Sequence, residues 1–204
     1  MENYNNINDY HLDVLREIGN IGAGNAATAL SDILTDKVLL SVPILKIIDV
    51  NEIATILGGP ENQVVGILLN MTHDIEGMLL FILGKDFTHL LINALLGENI
   101  DSFDNITDLG MSALMEIGNI LSGSYVNALS AMTNLDIRLT TPQIAVDMVG
   151  AILSFPAAQF GEMGDKLLFI EEDFISGSNT IKSHLLIMPE MKSLDLILKS
   201  LGVS

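Results

Sequence analysis

The sequence contains no cysteine, which rules out disulfides, thiolate zinc sites and cysteine nucleophiles. Basic residues are scarce: 9 Lys and Arg stand against 26 Asp and Glu, a net charge of −17. Such a surface repels a phosphate backbone, so nucleic acid is not an expected partner, and anionic membrane is disfavoured on the same ground. The acidity either keeps an apolar chain in solution or steers a partner toward it. Although 49% of the residues are apolar, no run reaches the 18 or so residues that a membrane span needs. The opening "MENYNNINDYHLD" is polar and acidic, unlike a signal or transit peptide, and a cytoplasmic location is expected. No P-loop or G-x-S-x-G elbow is present. His11, His73, His89 and His184 show no metal-ligand spacing, so each is expected at the surface or its boundary, and no metal site is expected. "GAGNAA", from Gly22 to Ala27, fits a dinucleotide-binding pattern, but that pattern needs a preceding strand and "DYHLDVLREIGNI" reads as helix.

What the sequence does contain is itself, twice. "LREIGNIGAGNAATALSDIL" (Leu15 to Leu34) returns 99 residues later as "LMEIGNILSGSYVNALSAMT" (Leu114 to Thr133), and from Glu17 to Ser31 nine of fifteen positions agree. Pro43 and Pro142 continue the match at the same spacing. Later segments correspond with a spacing that has drifted to 105, the extra residues being expected in a loop at "DFISGSNT" (Asp173 to Thr180). Internal repetition of this kind can decide an architecture. The chain reads as a single domain over 1–204, made of repeats at about 8–97 and 107–202 and joined by an acidic linker, 98–106. Each repeat predicts a long helix (about 10–34 and 108–133) and then a strand running through the proline. A short helix or irregular stretch, two adjacent strands and a closing helix follow. Short links between neighbouring strands favour antiparallel pairing. The expected fold is α/β, internally duplicated about a pseudo-twofold axis, with two long helices packed on a large, mainly antiparallel sheet.

The faces of the repeated helix carry unequal constraint. At helical spacing Leu12, Leu15, Gly19, Gly22, Ala26, Ala29 and Ile33 form an apolar seam expected to be buried. Its second copy, Met111, Leu114, Gly118, Leu121, Tyr125, Ala128 and Met132, is largely repacked. Nearly opposite lie Asp13, Glu17 and Asn20, with Gly24 and Ser31 continuing the stripe, and the second copy presents Ser112, Glu116, Asn119, Gly123 and Ser130. The outward stripe is repeated more faithfully than the buried seam, the reverse of what packing alone would produce. Each glycine costs roughly 1 kcal/mol against alanine in a helix interior, and Gly24 and Gly123 leave room for another backbone beside the asparagine. Solvation of an exposed face could explain one such stripe but not its repetition. Pro43 and Pro142 either shape a strand edge, the favoured reading, or touch the site. An exposed Glu and Asn make half of an active site, to be completed by another protein. A neutral amide can hold an attacking water in line with phosphorus, because phosphoryl transfer depends largely on positioning, while a carboxylate can pair with a partner's lysine.

The pattern Asp/Ser-x(3)-Glu-x(2)-Asn-x(22)-Pro resembles that of the CheC/CheX/FliY phosphatases of bacterial and archaeal chemotaxis. It occurs in full twice, as Asp13, Glu17, Asn20, Pro43 and as Ser112, Glu116, Asn119, Pro142. Two motifs in about 200 residues resemble the CheC branch, rather than a shorter single-motif dimer of the CheX type or a FliY chain with an added flagellar switch domain. The resemblance implies an enzyme that hydrolyses the aspartyl phosphate of the response regulator CheY, with Glu17, Asn20, Glu116 and Asn119 catalytic. Asp13, Gly24, Ser112 and Gly123 would contact the partner. It also implies no cofactor on this chain, Mg²⁺ on the regulator instead, a second partner in the deamidase CheD, and a monomer. No residue for CheD follows from the motif; "VGAILSFPAAQFGEM" (Val149 to Met163), which departs most from its counterpart, is the first place to look. The competing expectation is a non-catalytic adaptor that sequesters phosphorylated CheY or CheD.

Overall fold

Both long helices start at a side-chain cap. Before α1 (Asp9–Leu34), the Asn8 side chain accepts the His11 N–H at 3.0 Å while the Asn8 N–H donates to His11 Nδ1 at 3.2 Å, a reciprocal cap that satisfies two donors at once. Thr107 plays the part for α4 (Asp108–Thr133), accepting from Gly110 N–H at 3.1 Å. The computed structural model describes residues 7–34, 38–160, 166–176 and 179–203. Between and after the long helices the order repeats. β1 (Val38–Leu40), β2 (Ile44–Asp49), α2 (Val50–Ile56), β3 (Gln63–His73), β4 (Gly77–Leu83) and α3 (Lys85–Leu96) follow the first. β5 (Ile137–Leu139), β6 (Gln143–Met148), α5 (Val149–Phe160), β7 (Lys166–Ser176), β8 (Asn179–Pro189) and α6 (Met191–Ser200) follow the second.

Among the described residues eight strands form one sheet in which every ladder is antiparallel, ordered β1-β7-β8-β4-β3-β5, with β2 also on β7 and β6 also on β3. β4 and β8 meet at the centre, one from each repeat. The outer strands are exchanged: β1 and β2 pair with β7 of the second repeat, and β5 and β6 pair with β3 of the first. Neither repeat holds a complete sheet by itself. The central strand β4 is apolar throughout, as is the Leu185–Met188 stretch of β8 beside it, because both faces are covered there. Leu79, Phe81 and Leu83 join α1, α3, α4 and α6 in one core, while Met78, Leu80 and Ile82 join α2 and α5 in another.

Three local expectations change. The strand through each proline is broken at Ser41–Pro43 and Thr140–Pro142, since proline has no N–H for the ladder. A hydroxyl bridges each gap: Ser41 Oγ accepts Asp173 N–H at 3.2 Å, and Thr140 Oγ1 accepts Asn70 N–H at 3.0 Å. The extra residues of the second repeat do not make a loop, because Asp173–Ser176 and Asn179–Thr180 extend β7 and β8, and residues 177–178 lie outside the described residues. The acidic linker is anchored by Ile100 and Phe103, both buried in the helix-side core. His11 and His184 are buried instead of superficial; His184 stacks on Phe169 at 5.5 Å, and burial lowers its pKa. Among the described residues no helix is long and apolar enough to cross a membrane.

Among the described residues the helix-side core contains one acid. Glu172, on β7 between Ile170 and Phe174, is 1% exposed. Neither carboxyl oxygen reaches a partner at hydrogen-bonding geometry. Ser183, opposite in register, offsets burial only in part, and burial raises the Glu172 pKa to about 8. A folded-state pKa above the unfolded one means that stability is fully present below about pH 4.5 and is lost as pH rises through about 8. Glu172→Gln should therefore unfold at higher denaturant than the parent at pH 8, by on the order of 4 kcal/mol, and the gap should close toward pH 4.5. Denaturation profiles that run parallel across this range would show that the carboxyl is not buried neutral.

Candidate functional site

The two motif helices lie against one another on the same face of the sheet. Contact is possible because α1 offers Gly22 where α4 offers Tyr125: a Cβ on Gly22 would stand 2.5 Å from the ring and 3.0 Å from the Tyr125 backbone. Even one added methyl there is overpacking of a kind that costs about 1–3 kcal/mol. The replacement of Gly22 and Ala26 by Leu121 and Tyr125 in the second copy is thus complementary, large residues on α4 filling the space left by small ones on α1. The buried seam is rotated slightly from the expected one. Ala23, Ala26 and Leu30 are fully buried, whereas Leu12, Ala29 and Ile33 lie at its edge.

This packing turns the motif outward. Asp13, Glu17, Asn20 and Gly24 are exposed on α1, and Ser112, Glu116 and Asn119 are exposed on α4, with Gly123 half-buried. Among the described residues no hydrogen bond or ion pair engages the side chain of Glu17, Asn20, Glu116 or Asn119. Their polar groups face solvent with full bonding capacity. Asp13 differs, pairing with Arg16 at 2.6 Å. Ser31 and Ser130 do not continue the stripe. Ser31 Oγ donates to the Ala27 carbonyl at 2.8 Å and accepts Val38 N–H at 2.9 Å, and Ser130 Oγ donates to the Leu135 carbonyl. These serines repeat because each ties its helix to the segment that follows.

At the second stripe the helix meets the broken strand. Ser112, Met115, Glu116 and Asn119 form one wall of an open cleft of about 440 Å³, and Leu139, Thr140, Thr141 and Pro142 form the other. The proline therefore does both things considered for it: it interrupts the strand and lines the site. Met115 and the two threonines carry no motif signal. Met115 reaches the cleft from α4, and the threonines reach it because the segment between β5 and β6 is held on β3 by Thr140. An amide and a carboxylate one turn apart beside a cleft can bind a water and a cation at once. Of the hydroxyls that line the cleft, Ser112 Oγ donates to the Asp108 carbonyl at 2.9 Å and Thr140 Oγ1 accepts the Asn70 N–H at 3.0 Å.

The CheC-like family model matches residues 11–47 and 109–146, one span for each copy of the helix and proline. The chain is 33% identical over 211 aligned positions to the CheY-P phosphatase CheC of Bacillus subtilis (strain 168), with all of both chains covered. It is 26% identical to the flagellar motor switch phosphatase FliY of the same organism, over 68% of this chain and 36% of that one. Among solved structures, FliY of Thermotoga maritima superposes with a TM-score of 0.77 at 20% identity, covering 97% of this chain and 98% of the other; at that identity the likeness shows the fold.

A Cβ built on Gly24 or on Gly123 meets nothing within 4 Å, so the fold itself does not need these glycines. Gly24→Ala and Gly123→Ala should each stabilise the protein by about 1 kcal/mol through helix propensity, read from urea unfolding midpoints, while weakening the site on whose stripe they lie. Loss of stability in either variant would give the glycine a structural reason instead.

Proposed function

This chain belongs to the CheC-like family, and on that premise we propose that it is a phosphatase that removes the aspartyl phosphate from a chemotaxis response regulator of the CheY type. The observation that carries this reading is the pair of outward stripes whose Glu and Asn side chains have no partner among the described residues. An acyl phosphate sits in the regulator's own pocket, and what hydrolysis lacks there is an oriented water. The carboxamide of Asn20 or Asn119 accepts a hydrogen bond from that water and directs its oxygen at phosphorus. The new P–O bond forms as the bond to the aspartyl oxygen breaks, releasing inorganic phosphate and the free carboxylate. Positioning of this kind supplies much of the catalysis of phosphoryl transfer. Glu17 and Glu116 pair with a cation on the regulator and fix the register, and Asp13, Ser112, Gly24 and Gly123 border the same contact. Mg²⁺ belongs to the regulator, where it neutralises phosphoryl charge. The enzyme works as a cytoplasmic monomer with no cofactor of its own.

The deamidase CheD is the second partner in this reading, and α5 is the element we assign to it. α5 is longer than α2, its counterpart, and leaves Ala151, Ser154, Phe155, Ala157 and Ala158 exposed, Phe155 by 53%. Residues 161–163 of the segment singled out in the sequence lie outside the described residues.

Loss of one group that acts in the transition state costs on the order of 10²-fold in rate, and sites on separate helices should behave independently. Asn20→Ala and Asn119→Ala should each retain the activity of the remaining site, and the double variant should lose nearly all of it, when decay of a phosphorylated regulator is followed by release of inorganic phosphate. Each should bind the regulator nearly as tightly as the parent. Binding with no acceleration of decay by the parent protein would favour the non-catalytic adaptor.

A further inference from the structure

The two stripes differ in charge at two positions. α1 carries a single basic residue, Arg16, and α4 carries none. Arg16 stands four residues before Asn20 and so shares its face of the helix. Its counterpart at the spacing of 99 is Met115, which lines the second cleft beside Glu116 and Asn119. The position thus belongs to the site, and the first stripe fills it with a guanidinium. A second replacement accompanies this one. Asp13 Oδ1 accepts from Arg16 Nη1 at 2.6 Å, whereas Ser112, in Asp13's place, donates to the Asp108 carbonyl at 2.9 Å. Both halves of the ion pair are present in one stripe and both are absent from the other.

The pair holds Arg16 in reach without committing it. The side chains of Arg16 and Asp13 are 48% and 66% exposed, and an ion pair in that setting is weak. Among the described residues it is the guanidinium's one hydrogen bond, which leaves most of its donors free. We propose that Arg16 binds the phosphoryl oxygens of the docked regulator, and that Asp13 holds the side chain in place between encounters. The inference rests on the phosphatase reading and separates its two sites. The first brings its own cation to the reacting group; the second, with Met115, depends on the cations that the regulator supplies. A guanidinium fork matches phosphoryl oxygens in geometry, and charge spread over those oxygens in the transition state is what a cation stabilises. Docking removes water and strengthens the contact. Val42, 79% exposed where the second cleft has Thr141, offers an apolar wall for that purpose. Arg16 transfers no proton; water remains the only co-reactant.

The test isolates the first site with Asn119→Ala and adds Arg16→Met or Arg16→Lys, following decay of a CheY-type regulator phosphorylated on its aspartate at several ionic strengths. Arg16→Met should lower kcat on the order of 10²-fold and flatten the dependence on salt, and Arg16→Lys should recover part of both. In the Asn20→Ala background, where the second site works alone, Arg16→Met should change nothing. A rate and salt slope for Arg16→Met that match the Asn119→Ala parent would overturn the inference, as would equal losses in the two backgrounds. If the double asparagine variant keeps the parent rate, the phosphatase reading of the stripes fails with it; if the asparagine variants behave as expected and Arg16 is inert, only this inference fails.

Discussion

The packing of α1 on α4, with the Tyr125 ring seated over Gly22, is the contact on which the outer face of the molecule depends. Both helices bury small and apolar residues toward each other and the sheet, so the opposite stripe of each is forced toward solvent. A bulkier residue at Gly22 would push the helices apart, and the Glu–Asn stripes would no longer share one rigid face. Tyr125 also reaches the sheet, its ring 6.1 Å from that of Phe81. The same side chain thus links both motif helices to a central strand.

Exchange of the outer strands makes the duplication inseparable. The proline segment of the first repeat is hydrogen-bonded to β7, which belongs to the second, and the reverse holds for β6 on β3. Each candidate site is therefore built by both halves: its helix and proline from one, the strand that holds the proline segment from the other. Rigidity follows, since displacing Pro142 would require breaking the Thr140–Asn70 ladder. A site that works by orienting a partner's reacting group needs its own groups held in this way.

Duplication freed the two sites to diverge. The buried seam changed in a complementary manner across the axis, and the stripes kept Glu and Asn while exchanging Asp13 and Arg16 for Ser112 and Met115. What differs lies around the shared pair, where it can set affinity and charge without altering the arrangement of carboxylate and amide.

Much of this was legible in the sequence, and for a physical reason. Helical periodicity and a repeat at a fixed spacing are local signals, so the two long helices, the outward direction of Glu17, Asn20, Glu116 and Asn119, and the antiparallel hairpins could be read directly. The stripe was conspicuous because it was copied more faithfully than the seam behind it. Only the tertiary structure decided the rest, because those features depend on which distant segments meet. The sequence cannot say that β2 joins β7, that Thr140 bridges the break made by Pro142, or that Met115 faces the same cleft as the proline. Nor does the run Glu171–Asp173 in β7 announce that its middle acid will be sealed beneath helices; burial of Glu172 follows from the face on which β7 is covered. Residues that act through their own helix are written in the local pattern, and residues that act across an interface appear only when the chain has closed on itself.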